Sequence, residues 1–334
     1  MNKIKEYLKY NIKSILKVLI IYITIILLFT VPTNYEIYSP GGLIDISKRI
    51  NINNDFKLEG SFNLTYVSGK KGIIPFVLLS YIIPSWDLKS IDEHRIENES
   101  YAQMEAREEL YLKSGVQNSI IYAFDEANID IELLNPKLVV LYVLEEAESE
   151  LEVKDEIKKI GNKEITSYED FVEEISKYEE NDDVEITVLR NDKLVVTTSK
   201  IKNISDNKKL GIMVLSLYDI ESDPSVEFMY KKSETGSSGG LMNALYIYSV
   251  ITKTDLTKGD KIAGTGTMEA DGTIGEIGGL KYKIKGAVNN NATVFITGSD
   301  NIEEAKEIIK ENNYDIELIE AESFSDIINK LKNR

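Results

Sequence analysis

The sequence predicts a multidomain chain of mixed α+β and α/β class, set behind one N-terminal transmembrane helix. An uninterrupted apolar run follows a row of lysines near the start, which is the pattern of a membrane anchor. The middle of the chain is rich in short apolar strands separated by turn pairs, and its last third alternates strand and helix patterns, as an α/β or α+β domain does. With 334 residues, 43% of them hydrophobic, the chain has room for an anchor and two or three packed domains. A formal net charge of -17, from 56 acidic and 39 basic side chains, argues against a nucleic-acid partner, because phosphate neutralisation needs a basic surface. The absence of cysteine excludes disulfides, thiolate catalysis and cysteine-ligated zinc.

Residues 1–32 form the expected anchor. The run VLIIYITIILLFTV, from Val18 to Val31, follows Lys3, Lys5, Lys9, Lys13 and Lys17 and ends at Pro32. It is shorter than the roughly 20 apolar residues of a full span, but Ile15, Leu16 and a snorkelling Lys17 extend it. The lysines predict a cytoplasmic N-terminus and an extracytoplasmic remainder. A cleaved signal peptide has the same order of basic and apolar regions, but PTNYEIYSP, which follows Val31, offers no small-x-small cleavage pattern.

Residues 33–137 are expected to form a strand-and-helix region that packs with the C-terminal domain. Tyr38-Ser-Pro-Gly-Gly42 is turn chemistry, and Gly60 to Val67 alternates apolar and polar residues as a half-buried strand does. The apolar stretch Gly72 to Ile83 holds Pro75 and is too short to span a bilayer, so it is expected in the core. His94, the one histidine, lies in a polar segment and is expected at the surface. From Met104 to Ala127, Leu110, Val116, Ile120 and Phe124 recur at helical spacing.

Residues 138–202 read as a small β-rich unit: the strand LVVLYVL, a Leu151 to Ile160 segment, a Gly161-Asn162 turn, a helix over about Ser167 to Tyr178, and two strands joined by Asn191-Asp192. The run AESELEVKDEIKKIGNKEI resembles part of the PDZ family. That resemblance implies a small β-barrel that recognises peptides by adding them as a strand to an open sheet edge. Between Glu145 and Glu185 there are 17 acidic and 5 basic residues, a surface that would discourage acidic peptides.

In residues 203–334, two glycine-rich turns carry the chemistry. Gly236-Ser-Ser-Gly-Gly240 precedes Leu241, Ala244, Leu245, Tyr248 and Ile251, which share one helical face. Ser238 is therefore expected at a helix start, where backbone N–H groups around Gly236, Ser237 and Gly239 can support a developing oxyanion. The strands Lys261 to Glu269 and Thr273 to Ile277 are expected to pair through Asp271-Gly272, and Gly278-Gly279 then opens a helix with Lys281 in its first turn. A serine nucleophile needs a base, and with one distant histidine a neutral lysine is the better candidate. A helix N-terminus and partial burial would both depress the pKa of Lys281.

These two blocks and their separation resemble the proteolytic domain of Lon-type serine peptidases, whose serine sits in a Gly-Pro-Ser-Ala-Gly turn and whose lysine lies in a Gly-Gly-Leu-Lys turn. The resemblance implies Ser238 as nucleophile, Lys281 as general base and Thr265 beside the dyad, with no metal and no other cofactor. TVFITGSDNIEEAKEII resembles the family's strand-loop-helix, with Asp300 and Glu303 at the spacing of a helix-start signature. Ser237 and Gly239 replace the motif's proline and alanine, and Ser237 supplies a neighbouring hydroxyl; the flanking glycines align with Ser238 as the nucleophile. No GxxxxGK[ST] phosphate loop is present, so no ATPase module is implied. As a whole the chain resembles bacterial membrane-anchored PDZ and Lon-like peptidases. That implies an ATP-independent serine endopeptidase acting on extracytoplasmic proteins or peptides, and rings in the family leave room for a homo-oligomer. An inactive, membrane-tethered binding or scaffold protein of the same architecture is the other reading.

Overall fold

A computed structural model describes residues 2–93, 95–96, 99–204, 207–231 and 233–334. The expectation for His94 lies outside the described residues. The chain forms two compact units, one of residues 1–41 with 67–94, the other of residues 42–66 with 95–334.

The first unit begins with α1 (Asn2–Thr30), of which Tyr10–Thr30 is long and apolar enough to cross a membrane. Strand β1 (Pro32–Asp45) leaves it directly, and β2 (Ser61–Ile73) returns to lie beside its start, where the Thr33 hydroxyl donates to the Gly72 carbonyl at 2.7 Å. Helix α2 (Ile74–Ser80) follows with Pro75 in its first turn, a position that tolerates proline because the N–H it lacks has no helical partner. Strand β3 (Asp87–Ser90) then pairs antiparallel with β1, Tyr35 opposite Ser90 and Tyr38 opposite Asp87. The segment expected to be core is not: no residue of α2 is buried, and Ile74, Leu78, Leu79, Tyr81 and Ile82 face outward.

In the second unit, helix α3 (Tyr101–Glu126) starts at a capping box. Ser100 Oγ accepts from the Gln103 N–H, and the Gln103 side chain accepts from the Ser100 N–H, so two orphan donors are satisfied reciprocally. Strand β4 (Ile131–Val143) comes next, then β5 (Glu156–Ile160), helix α4 (Tyr168–Ile175), β6 (Asp183–Arg190), β7 (Lys193–Lys200) and β8 (Ile212–Ser222). These strands form one antiparallel sheet in the order β8-β4-β5-β6-β7. Val140, Ile157, Ile160, Val184, Ile186, Val188 and Ile201 fill its core. At the β6–β7 turn both Asn191 and Asp192 have positive φ, the geometry a two-residue hairpin with the right twist requires. Beyond residue 202, β8 pairs with β4 along most of its length, Ile212 opposite Val143 and Ser222 opposite Ile131.

The remainder comprises α5 (Gly240–Ile251), β9 (Lys261–Gly264), α6 (Leu280–Asn289), β10 (Val294–Gly298), α7 (Ile302–Asn312), β11 (Glu317–Ala321) and α8 (Phe324–Asn333). Within this unit β2, β9, β10 and β11 run parallel in that order. One apolar cluster holds Leu241, Leu245, Phe324 and Ile327, and another holds Leu280, Ile284, Phe295 and Ala305, so helices cover the sheet on both faces. That explains a departure from the half-buried pattern expected of β2: Phe62, Asn63, Leu64 and Thr65 are all buried, and the two polar ones donate to the Ile262 and Gly264 carbonyls. The expected hairpin after Lys261 is only partly formed. Beyond Gly264 the chain leaves the ladder, and a turn closed by Glu269 N–H to Thr273 O at 3.0 Å stands in place of paired strands.

Candidate active site

Three elements meet at the serine turn. Gly236 adopts φ +85, and Gly239 precedes α5 as its N-cap residue. α5 is apolar on nearly every side and buried along its length, which fixes the turn against the core. On one side the turn meets α3: the Gly236 N–H donates to the Glu108 carbonyl at 3.1 Å, and a Cβ at Gly115 would lie 3.2 Å from the Cα and Cβ of Ser237. The buried Arg107 guanidinium holds that end of α3 by a two-pronged bond to the Glu99 carboxylate, at 2.8 and 2.9 Å, with a third bond to Glu108 at 3.0 Å. Ahead of the turn, Glu234 receives a forked bond from Arg49.

On the other side lies the stretch that follows β9. The Ser238 carbonyl accepts from the Thr265 hydroxyl at 3.0 Å and from the Gly266 N–H at 2.8 Å, and the Leu241 N–H donates to the Gly266 carbonyl at 3.1 Å. Sequence reasoning placed Ser238, Thr265 and the glycines together, and these bonds join them. Of the expected oxyanion donors, the Gly236 N–H is engaged by Glu108, whereas among the described residues no partner takes the N–H of Ser237 or Gly239, nor that of the neighbouring Ser238. Unpartnered amides are what the start of a helix leaves, and such groups serve developing negative charge.

The lysine differs from the expectation. Lys281 is exposed, with its ammonium 4.9 Å from the centre of the Tyr282 ring. Lys283, two residues on, is buried to 5% exposure, and its Nζ donates to Thr265 Oγ1 at 3.1 Å. A chain of hydrogen bonds therefore runs from Lys283 through Thr265 to the Ser238 carbonyl. Helical geometry is the cause. Gly279 takes the left-handed conformation at φ +71 and starts α6, so Leu280, Lys283, Ile284 and Ala287 share the buried face and Lys281 turns away. Burial pushes the Lys283 ammonium down from 10.5 to about 8. Water solvates a free ammonium strongly, whereas here, among the described residues, a threonine hydroxyl takes its hydrogen bond.

The spacing i, i+3, i+4, i+7 from Leu280 already groups Lys283 with the apolar residues of α6 in the sequence. Asn301 was missed altogether. Its buried amide donates to the Ile277 carbonyl at 3.1 Å and accepts from the Ile277 N–H at 2.9 Å, pinning the segment that leads into Gly278-Gly279. The expected helix-start role of Asp300 and Glu303 is not formed; α7 has Asn301 as its N-cap residue, without a side-chain cap.

A second feature lies in the antiparallel sheet, where β8 is an edge strand. Leu210-Gly211 precedes it, with Gly211 at φ +71 and its carbonyl accepting from the Leu144 N–H at 2.8 Å. Farther along, the Gln117 side chain of α3 covers the backbone: its amide donates to Ser216 O at 3.2 Å, and its oxygen accepts from the Tyr218 N–H at 2.7 Å. The same helix thus contacts the sheet edge through Gln117 and the serine turn through Gly115.

Two known families match parts of the chain. Residues 128–201 match the PDZ domain family, and residues 232–333 match the Lon protease (S16) C-terminal proteolytic domain. No curated protein matches the chain. Among solved structures, the second domain of the Listeria protein Lin2157 is similar at 22% identity, covering 25% of this chain and 83% of that one, with a TM-score of 0.20 that adds nothing to the fold argument. The chain is thus a PDZ plus Lon-type protease-domain protein.

Proposed function

We propose that this protein is a membrane-anchored, ATP-independent serine endopeptidase in which Ser238 is the nucleophile and Lys283 the general base. The observation that carries the proposal is the burial of Lys283 against Thr265, which is hydrogen-bonded to the nucleophile's own carbonyl. An amine whose pKa is near 8 is substantially neutral at mildly alkaline pH and can accept the serine proton. Ser238 Oγ attacks the scissile carbonyl as Lys283 takes its proton. The N–H groups of Ser238 and Gly239 hold the oxyanion, and the protonated lysine returns the proton to the leaving amine. Water, deprotonated by the same amine, then releases the acyl group from Ser238.

The PDZ domain supports binding of protein or peptide substrates. We assign a peptide the β8 edge of the sheet, where it adds as a further strand. The apolar Tyr10–Thr30 segment behind its lysines supports a single span with the catalytic domain extracytoplasmic.

The test is cleavage of an unfolded protein substrate by the full chain in detergent, comparing wild type with Ser238→Ala, Ser237→Ala, Lys281→Met and Lys283→Met. Loss of turnover in Ser238→Ala and Lys283→Met, with the other two active, is expected. Turnover by all five proteins would sink the dyad, and no turnover by the wild type would leave the inactive-domain reading in its place.

A further inference from the structure

Helix α2 and the turn after it present Ile74, Leu78, Leu79, Tyr81 and Ile82 to the outside, with Leu78 at 62%, Tyr81 at 78% and Ile82 at 74% exposure. Such a run in a water-facing position is costly, since each fully buried aliphatic or aromatic side chain is worth about 1.5–3 kcal/mol. Ile74, Leu78 and Ile82 recur every fourth residue and so form one stripe.

Three observations say what covers it. The Thr33 hydroxyl holds the Gly72 carbonyl at 2.7 Å, so α2 begins beside the residues that leave the apolar helix α1 at Thr30. α2 also packs against α1 itself, which puts it at the depth of whatever surrounds that helix. Finally, the chain's one tryptophan, Trp86, lies just after α2, edge-on to Phe76 at 6.0 Å and under the Lys70 ammonium at 5.7 Å. An aromatic with a cation beside it at the end of an apolar segment suits the boundary between acyl chains and headgroups.

We infer that α2 lies in the outer interface of the lipid bilayer as a second, non-spanning membrane contact, with its Ile74-Leu78-Ile82 stripe among the acyl chains and Trp86 and Lys70 at headgroup level. Seven residues rise only about 10 Å, far short of a span of roughly 30 Å, so the helix lies in the membrane surface without crossing it. This inference rests on the reading of α1 as a membrane span. Its consequence is a membrane-proximal unit held at more than one point, so that it does not swing freely on a single helix.

The chain has no cysteine, so a single nitroxide can be placed at will. Leu78→Cys, Ile82→Cys and, as a water-facing reference in the PDZ hairpin, Leu194→Cys would each be spin-labelled in the full chain, reconstituted in phosphatidylcholine–phosphatidylglycerol vesicles. Retention of the chain after alkaline carbonate extraction, with oxygen accessibility exceeding that of a water-soluble nickel complex at positions 78 and 82 but not 194, is the expected result. Retention with the water-like accessibility of position 194 at both sites would overturn the inference while leaving α1 as an anchor. Release by carbonate would remove the anchor reading and the inference with it. Spin–spin broadening with low access to both reagents would mean that a second copy covers the stripe, and would equally overturn it.

Discussion

Lys283→Met is the substitution for which stability and catalysis should move in opposite directions. In the folded chain the ammonium titrates near 8, against 10.5 when solvated, because burial disfavours its charged form. A depressed lysine pKa means that the unfolded chain holds the proton more tightly, so protonation works against folding. The penalty is fully present below pH 8, fades between pH 8 and 10.5, and is absent above that range. Its size is the 2.5-unit difference multiplied by 1.36, about 3 kcal/mol at neutral pH. Methionine keeps the length and the apolar stem, removes the charge, and gives up the bond to Thr265, which is worth about 1 kcal/mol. The net expectation is a gain of about 2 kcal/mol, or about 4–8 °C in Tm for a unit of this size, together with loss of proteolysis. Thermal melts at pH 7 and pH 10.5 test the stability, and turnover of an unfolded substrate tests the chemistry. A Lys283→Met protein that is no more stable than wild type at pH 7, or that still cleaves while Lys281→Met does not, would refute the assignment.

For the wild type, kcat/KM should rise with pH through an apparent pKa of about 8, since only the neutral amine accepts the serine proton; a flat profile across that range would count against Lys283 as base. Thr265→Val should strand the Lys283 Nζ, costing about 1–3 kcal/mol and most of the activity, whereas Thr265→Ser keeps the hydroxyl and should retain both; urea melts and turnover measured on the same preparations compare them. Gly239→Ala restores the alanine of the resembling motif, but its Cβ would meet Leu64 Cδ2 at 2.9 Å. It should therefore cost about 1 kcal/mol alone and less in combination with Leu64→Val, a coupling that a double-mutant cycle in urea would detect.

Close contact with Leu64 also gives a physical account of why glycine stands at position 239 of this chain. Ser237, which replaces the motif's proline, sits against Gly115 of α3, and the turn is further held by Glu108 and Thr265. Neighbouring elements thus impose on this turn the restriction that proline would have supplied locally.

By itself the sequence determined what depends on near neighbours along the chain. The Asn191-Asp192 hairpin, the Ser167 cap of α4, the apolar helix α5 and the left-handed Gly279 that opens α6 all follow from local backbone preferences and side-chain spacing. The pairing of a glycine-rich serine turn with a lysine on the helix after Gly278-Gly279 was likewise legible, and so were the PDZ and Lon-type domains that carry these features. Only the tertiary structure decided which lysine enters the site, because a two-residue shift on a helix is a rotation of about 200° and its consequence depends on where the sheet lies. It also decided that β8 closes a sheet begun about eighty residues earlier at β4, that Asn301 reaches back to Ile277, and that α2 lies outside the core. Each of these is a contact between residues far apart in sequence, and burial, which sets both a lysine's pKa and a helix's exposed face, is a property of the assembled neighbours.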